Sequence, residues 1–257
     1  MATKFTTVVI CAGMLGATAA ADQLCMTLDS FDASERYGVA INPGMDWFDS
    51  SSVTYTSPLR AGERIWTTQY GTEVVTYCAQ LWEGVSAGSD VCFDVVENLN
   101  DFPEFPPYPG PMNDSQVGLV QDLYARYIDT QTGYLRSGTE LTNNFDYSTA
   151  ASAFQLVVWE ITHENVIDGT LASAKVELSL DEGAFRADTS THLIGGDAAT
   201  LIMNSLGSNG WLSLGNNLLG LSNESYQDQF MVVPLPMPAL LAGIGLVGAG
   251  VLRRRLR

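Results

Sequence analysis

The sequence predicts an α+β fold, a β-sandwich or barrel that carries an inserted helical segment. Two observations support this prediction. Short runs rich in Val, Thr, Tyr and Trp, separated by Gly, Pro, Asp and Ser, fill the chain up to about residue 101. Apolar residues then recur at the 3.6-residue helical period between about residues 112 and 163, and short β-prone runs return afterwards. The helical segment therefore interrupts a domain of residues 22–232 that is otherwise rich in β-structure.

The first 21 residues have the pattern of a secretory signal peptide. Lys4 provides a basic start, an apolar stretch covers residues 8–20, and small residues at Ala19 and Ala21 suit a signal peptidase. A short membrane anchor is the alternative, but the apolar run is short and ends in an A-x-A pattern. We therefore expect residues 1–21 to be removed and the remainder to be exported.

Residues 233–257 combine a proline-rich knuckle, a short apolar run at 239–252 and a basic tail. The apolar run is shorter than the roughly 20 residues of a stable membrane span, and its basic end would stay cytoplasmic. This order resembles the VPLPA-type variant of the bacterial PEP-CTERM sorting signals, with the matching residues Val233, Pro234, Leu235, Pro236, Arg253, Arg254 and Arg255. The resemblance implies a Gram-negative export machinery, an exosortase-like processing enzyme and transient anchoring in the inner membrane by the C-terminal helix. Delivery to the cell surface or extracellular matrix would follow. A plain single-span anchor is the alternative.

The charge balance is strongly acidic and excludes some classes of partner. Acidic residues outnumber basic ones by 29 to 12, and the formal net charge is −17. Such a chain repels nucleic acid and anionic lipid, so we expect no nucleic-acid partner. Solubility outside the cell is the simplest explanation of the acidity.

Individual strands are predicted over residues 25–31, 37–43, 51–59, 63–85 and 91–99, with a turn at Gly71. In the run VVTYCAQLW, alternation places Cys78 on one strand face with Thr76 and Gln80. Five prolines within residues 101–111 mark a loop or boundary. The strand that contains Cys78 thus lies before the helical segment.

Three helices are predicted next. The first begins at a cap formed by Asn113, Asp114 or Ser115 and runs to about residue 128. The second contains ASAFQLVVWEIT (151–162), which is apolar on nearly every side and should be buried. A strand over 176–180, a third helix over 197–206 and a last strand over 226–233 follow. Gln155 stands out in the second helix, because a buried amide must find hydrogen-bond partners or be consumed chemically.

Two of these segments together resemble a known family. Tyr77-Cys78 on a strand, followed 77 residues later by the helical segment FQLVVW (154–159), resembles the thioester domains of bacterial surface adhesins. The resemblance implies that the Cys78 thiol attacks the Gln155 carboxamide, expels ammonia and leaves an internal thioester. An amine of another molecule would then attack Gln155 and free Cys78. The product would be a covalent amide cross-link, made once per molecule, so the protein would not be a turnover enzyme.

Other interpretations of the same residues remain open. Three cysteines follow the signal peptide, and an exported protein is expected to pair two of them. A disulfide between Cys25 and Cys92 would leave Cys78 free, whereas Cys78 in a disulfide would exclude the thioester. Gln155 would then be a satisfied core amide. Gln80 is a second possible acyl donor, but its spacing from Cys78 does not match that of complement-type thioesters.

The remaining candidate residues carry weaker signals. His163 follows Trp159 on the helix and is a candidate base for thioester chemistry. The histidines and cysteines show no metal-ligand spacing, and no cofactor motif is present, so neither a metal nor a cofactor is expected. Lys175 is the single lysine beyond the signal peptide, which would suit a chain that carries a reactive acyl group.

Two functions are therefore predicted. The first is an exported thioester protein that captures an amine-bearing or hydroxyl-bearing macromolecule of a surface or matrix. The alternative is a non-reactive structural protein of the extracellular matrix that is sorted by the same type of signal.

Overall fold

The computed structural model describes residues 23–41, 58–81, 84–103, 110–164, 166–190 and 192–233. The predicted signal peptide, and the sorting signal from Pro234 onward, lie outside these residues. Within the described ranges, no helix has both the length and the apolar character needed to cross a membrane. The strands are β1 (Gln23–Ser30), β2 (Ser34–Tyr37), β3 (Val39–Ile41), β4 (Leu59–Gly62), β5 (Arg64–Thr68), β6 (Glu73–Cys78), β7 (Asp90–Val96), β8 (Phe185–Ala187), β9 (Leu218–Ser222) and β10 (Gln229–Val232). The helices are α1 (Asp114–Tyr127), α2 (Glu140–Asn144), α3 (Tyr147–His163), α4 (Leu171–Lys175) and α5 (Leu193–Ser205), with 3₁₀ turns at Leu99–Asp101 and Gly215–Asn217.

Six strands close into an antiparallel barrel in the order β1-β5-β6-β10-β9-β7. The closed order leaves none of the six strands at an open edge. Seven buried apolar side chains fill the interior: Met26, Leu28, Trp66, Val91, Phe93, Leu221 and Met231. The prediction of an α+β fold with a β-barrel and a helical segment is confirmed, and the structure selects the barrel over the sandwich.

A second and larger core lies between the barrel wall and the helices. Its centre is aromatic, with the Tyr77 ring 4.6 Å from that of Phe154 and the Tyr124 ring 5.1 Å from Phe154. Phe230 on β10 extends the cluster, with its ring centroid 5.7 Å from that of Tyr124. Strand alternation explains this division, since Thr76 faces the barrel interior while its neighbour Tyr77 faces the helices.

Helix α3 occupies the middle of this second core. The Asp146 carboxylate caps its start by accepting a hydrogen bond from the Thr149 backbone at 3.0 Å. Every residue from 149 to 163 is buried, as the apolar character of both helix faces predicts. The helix packs on β4 and β2 on one side and on α5 and α1 on others, and it also touches β6. A helix enclosed in this way can hold a side chain in a fixed position against the barrel.

Several predicted elements differ in the structure. The first helix matches its prediction, and Asn113 and Gln116 form a reciprocal capping box. The strand expected at 176–180 is wrong: these residues form turns after α4, and the Ser179 backbone N–H donates to the Glu160 carboxylate at 2.7 Å instead of joining a ladder. The strand of this region is β8, which pairs with β3. Helix α5 begins at Leu193, four residues before its predicted start.

Candidate functional site

The candidate site lies at one end of the barrel, where three neighbouring strands begin or end. Strand β5 begins at Arg64, β6 ends at Cys78 and β10 begins at Gln229. Antiparallel pairing brings these ends together, because Cys78 lies opposite Gln229 and Thr76 lies opposite Arg64. Residues directly opposite each other place their side chains on the same face, so these four side chains converge.

The cysteines divide into one pair and one free thiol. Cys25 and Cys92 lie opposite each other on β1 and β7 and form a disulfide. Cys78 is free and has no exposed surface. The thiol needed for thioester chemistry is therefore not consumed by the disulfide.

Gln155 on α3 binds the backbone of Cys78 at two points. The Cys78 N–H donates to Gln155 Oε1 at 2.8 Å, and Gln155 Nε2 donates to the Cys78 carbonyl at 2.8 Å. The next residue, Ala79, donates its N–H to Asp228 on the opposite side, so the Cys78 backbone groups point away from β10. They point to where β5 would continue, but β5 pairs only as far as Arg64 opposite Thr76. The Gln155 amide takes the place of the missing strand residue.

This arrangement holds the Gln155 amide against the backbone of the residue that carries the free thiol, 77 positions away in sequence. The hydrogen bond from the Cys78 N–H polarises the Gln155 carbonyl, which makes its carbon a better electrophile. The same bond would stabilise negative charge on Oε1 during attack at that carbon. The amide is also fully buried, with no exposed surface, so bulk water does not compete for it.

The neighbouring pair Tyr77 and Phe154 explains why an aromatic residue precedes the cysteine. Tyr77 packs on Phe154 just as Cys78 binds Gln155, so two successive strand residues engage two successive helix residues. The Tyr77 hydroxyl donates to Glu63 Oε1 at 2.9 Å, and Tyr147 from the first turn of α3 donates to the same oxygen at 2.6 Å. Burial raises the pKa of Glu63. These contacts fix the register between β6 and α3.

A second glutamine, Gln229, contacts the sulfur itself. Its Nε2 lies 3.1 Å from Cys78 Sγ, and its Oε1 lies 3.4 Å from the same atom. The amide is oriented by donation to the Gln227 carbonyl at 2.7 Å and by acceptance from the Thr76 hydroxyl at 3.0 Å. Sequence analysis missed Gln229. Its alternation with Gln227 immediately before a β-prone run was the signal that could have identified it.

Electrostatics at the sulfur are dominated by burial. Burial raises the pKa of the Cys78 thiol to about 12, and the positive charge of Arg64 and the hydrogen bond with Gln229 act in the opposite direction. Arg64 is itself buried, and its Nη2 donates to Gln227 Oε1 at 3.1 Å. The resting thiol is therefore neutral at physiological pH, with one fixed positive charge nearby to favour the thiolate.

His163, the candidate base, lies two turns beyond Gln155 on α3. Its Nδ1 is 3.0 Å from the Trp159 carbonyl and 2.9 Å from the Thr162 hydroxyl. Burial lowers the pKa of His163 to about 3, so the imidazole is neutral and weakly basic. The neighbouring Thr162 contacts the chain just beyond β6, where its hydroxyl donates to the Ala79 carbonyl at 2.9 Å. A role of His163 in proton transfer stays a prediction.

Other predicted features of the site concern metals and amines. No cluster of three or more His, Cys, Asp or Glu residues able to hold a metal ion occurs in the described part of the chain. The Lys175 amine donates to the backbone carbonyls of Asn204 and Leu206 at 2.7 and 2.6 Å. These two hydrogen bonds hold the lysine amine at the C-terminal end of α5. Gln80, the second possible acyl donor, follows the end of β6 and is buried, and its backbone carbonyl accepts a hydrogen bond from Gln227.

Comparison with known proteins gives one structural likeness. No family model and no curated protein matches the sequence. Among solved structures, the chain is similar to the N-terminal thioester domain of the fibronectin-binding protein SfbI from Streptococcus pyogenes. The match has 13% sequence identity and a TM-score of 0.42, and it covers 82% of this chain and 98% of that one. The functional argument below rests on the contacts of Cys78 and Gln155.

Proposed function

We propose that this protein carries an internal thioester between Cys78 and Gln155 and uses it to attach covalently to an amine-bearing or hydroxyl-bearing macromolecule. The observation that carries the proposal is the pair of 2.8 Å hydrogen bonds between the Gln155 amide and the Cys78 backbone, beside a free and buried thiol. The protein acts once per molecule and is not a turnover enzyme.

Formation of the thioester needs no other reagent. The Cys78 sulfur attacks the Gln155 amide carbon, a C–S bond forms, the C–N bond breaks, and the thiol proton leaves with the nitrogen as ammonia. The Cys78 N–H stabilises the oxygen during the attack, and Arg64 favours the thiolate that attacks. Gln229 holds the sulfur through its amide, so it is a positioning residue in this step.

Capture of the partner reverses the roles of the two residues. The amine nitrogen of the partner attacks the Gln155 carbonyl carbon, the C–S bond breaks, and a proton from the amine returns to Cys78. A hydroxyl would react in the same way to give an ester. Burial of the pair limits hydrolysis, because water has no open access to the carbonyl.

The place in the cell where the protein acts is a separate proposal, which rests on the sequence patterns at residues 1–21 and 233–257. The signal-peptide pattern of residues 1–21 and the sorting-signal pattern of residues 233–257 support export to the cell surface or matrix. An exosortase-like enzyme would process the second segment while its helix is held in the inner membrane. The disulfide between Cys25 and Cys92 is compatible with an oxidising compartment outside the cytoplasm.

A second function has a specific observation in its favour. The Gln155 amide satisfies two buried backbone groups, as a purely structural core amide would. In that case the protein is a non-reactive structural component of the extracellular matrix, and Cys78 keeps its thiol.

Intact mass spectrometry of the purified chain separates the two functions. The thioester protein should be lighter than its sequence by one ammonia, after allowing for the disulfide. Methylamine should then add one methylamine and release one thiol that reacts with an alkylating reagent. Peptide mapping should place the methylamide on Gln155. A methylamide on Gln229 or Gln80 would show that this other glutamine supplies the acyl group and would contradict the Cys78–Gln155 thioester.

Three variants control this experiment. Cys78→Ala and Gln155→Ala should both show no loss of ammonia and no methylamine adduct. Gln229→Ala should still lose ammonia, more slowly, because its side chain positions the sulfur but supplies no reacting atom. A wild-type chain with its full mass and a titratable Cys78 thiol would reject the thioester and support the structural function.

A further inference from the structure

A groove of about 470 Å³ opens beside the candidate site, and its lining is positively charged although the chain as a whole is acidic. Three of its floor residues connect it with the Cys78–Gln155 pair. Arg64 acts electrostatically on Cys78, and the Gln227 carbonyl holds the Gln229 amide that contacts the sulfur. Trp159 lies one helical turn beyond Gln155, on the same flank of α3. A partner bound in this groove would therefore lie next to the thioester.

Three arginines meet in the groove, and no described carboxylate forms an ion pair with any of them. Arg36 and Arg60 lie directly opposite each other on β2 and β4, an arrangement of like charges that destabilises a strand pair. Arg60 and Arg64 both approach the ring of Phe31, at 5.5 and 5.6 Å from its centroid. Among the described residues, the one ion pair is that between Arg126 and Asp122, so none of these three arginines is neutralised by a carboxylate there.

The neighbouring polar groups do not offset the positive charge of these arginines. The Nε of Arg64 is buried and has no hydrogen-bond partner in the described part of the chain. Glu35, which follows Ser34 on β2 next to Arg36, is turned to the other strand face, where it accepts hydrogen bonds from Tyr37 and Thr149. A buried, unpaired guanidinium donor is costly unless a ligand satisfies it.

We infer that this groove receives an acidic protein segment whose lysine attacks Gln155; the covalent part of this inference rests on the proposed thioester. Carboxylates of the segment would pair with Arg36 and Arg60 and would reach the free Nε of Arg64. Apolar side chains line the rest of the groove and favour a peptide over a polysaccharide: Phe31, Leu59, Leu81 and Val85. Neither aromatic ring of the lining offers a free flat surface to a sugar, because Trp159 is buried and Phe31 is already flanked by two guanidinium groups.

The test compares two lysine peptides that differ only in their flanking residues, Glu in one and Gln in the other. Adduct formation with the intact chain is followed by intact mass at low salt. We expect the acidic peptide to react about tenfold faster, and this ratio to fall as salt is added, because the attraction is electrostatic. Equal rates for the two peptides would overturn the inference.

Variants locate the effect in the groove. The double variant with Arg36→Gln and Arg60→Gln should bring the ratio of acidic to neutral rates close to one. The matched control is Arg136→Gln, which removes a positive charge from an exposed side chain outside the groove, and it should keep the ratio of the wild type. A ratio that survives the double variant, or that is lost in the control, would place recognition elsewhere.

Binding without chemistry separates this inference from the proposed function. The Cys78→Ala chain cannot form a thioester, yet it should bind a fluorescent acidic peptide more tightly than the neutral one in an anisotropy titration. If wild-type protein forms no methylamine adduct while this preference holds, the thioester is wrong and the groove assignment stands. Tighter binding of polygalacturonate than of the acidic peptide would reject a protein segment as the occupant.

Discussion

Cleavage of the proposed thioester by methylamine should lower the thermal stability of the protein by an amount that the chain topology sets. Cys78 and Gln155 are 77 positions apart, so a bond between them closes a long loop of the unfolded chain. The chain-entropy relation for a cross-link across such a loop gives a stabilisation of about 4–5 kcal/mol. For a chain of this size, that corresponds to a fall in melting temperature of about 8–20 °C.

The hydrogen bonds of the site change by one in the same experiment. The thioester lacks the Gln155 nitrogen, whereas the methylamide has one N–H that can again donate to the Cys78 carbonyl. This regained hydrogen bond contributes about 1 kcal/mol, so the measured change is the loss of the covalent bond less that smaller gain. The disulfide between Cys25 and Cys92 stays closed throughout, because methylamine does not reduce it.

Differential scanning calorimetry or circular dichroism of treated and untreated protein measures this change. Cys78→Ala should melt near the methylamine-treated wild type and should not respond to methylamine. A fully labelled protein, verified by mass, whose melting temperature stays within about 2 °C of the untreated sample would refute the reasoning.

Three further predictions concern the same core. In urea denaturation, Gln155→Ala should have a free energy of unfolding about 2–5 kcal/mol lower than Cys78→Ala. The reason is that Gln155→Ala leaves two buried backbone groups unpaired and the cysteine variant does not. Equal stability of the two variants would contradict the two-point contact. In the Gln155→Ala chain, Cys78 is a free thiol whose pKa in the folded state burial raises to about 12, above the unfolded value near 9. The stability that the buried neutral thiol contributes is therefore complete below about pH 9 and is lost as the pH rises toward 12. Urea denaturation across that range would measure this loss, and adding Cys78→Ala should remove it. Asp122→Asn should destabilise the fold by about 3 kcal/mol or more, since the buried carboxylate accepts bonds from Arg126 and from the Gly207 and Leu212 backbones, while the ammonia loss in the mass spectrum should persist.

The sequence predicted those parts of the fold in which one local pattern dominates. The first helix was predicted with a cap at Asn113, Asp114 or Ser115, because capping residues are a local signal, and the structure selects Asn113. Burial of α3 followed from its apolar faces, and the β-rich character followed from composition. The strand predicted at 176–180 failed because the buried Glu160 carboxylate, distant in sequence, accepts the Ser179 N–H. Such tertiary competition leaves no local signature.

The candidate site was only half visible in the sequence. Cys78 and Gln155 were paired by resemblance, and the structure brings the two residues into contact. The groove and the position of Gln229 depend on which strands become neighbours in the barrel, and β6 pairs with β10 across more than 150 residues of chain. No periodicity in the sequence encodes that pairing, so the second glutamine and the three arginines could not be placed beforehand.

The distance in sequence between Cys78 and Gln155 also determines when the proposed thioester can arise. Before folding, the two residues belong to separate stretches of the chain, which later become a strand and a helix, and each residue is chemically ordinary. Closure of the barrel end against α3 creates the contact that the proposed reaction needs. A chain that crosses a membrane unfolded would thus travel as an inert thiol and amide and become armed on the far side, by folding alone and without a dedicated activating enzyme.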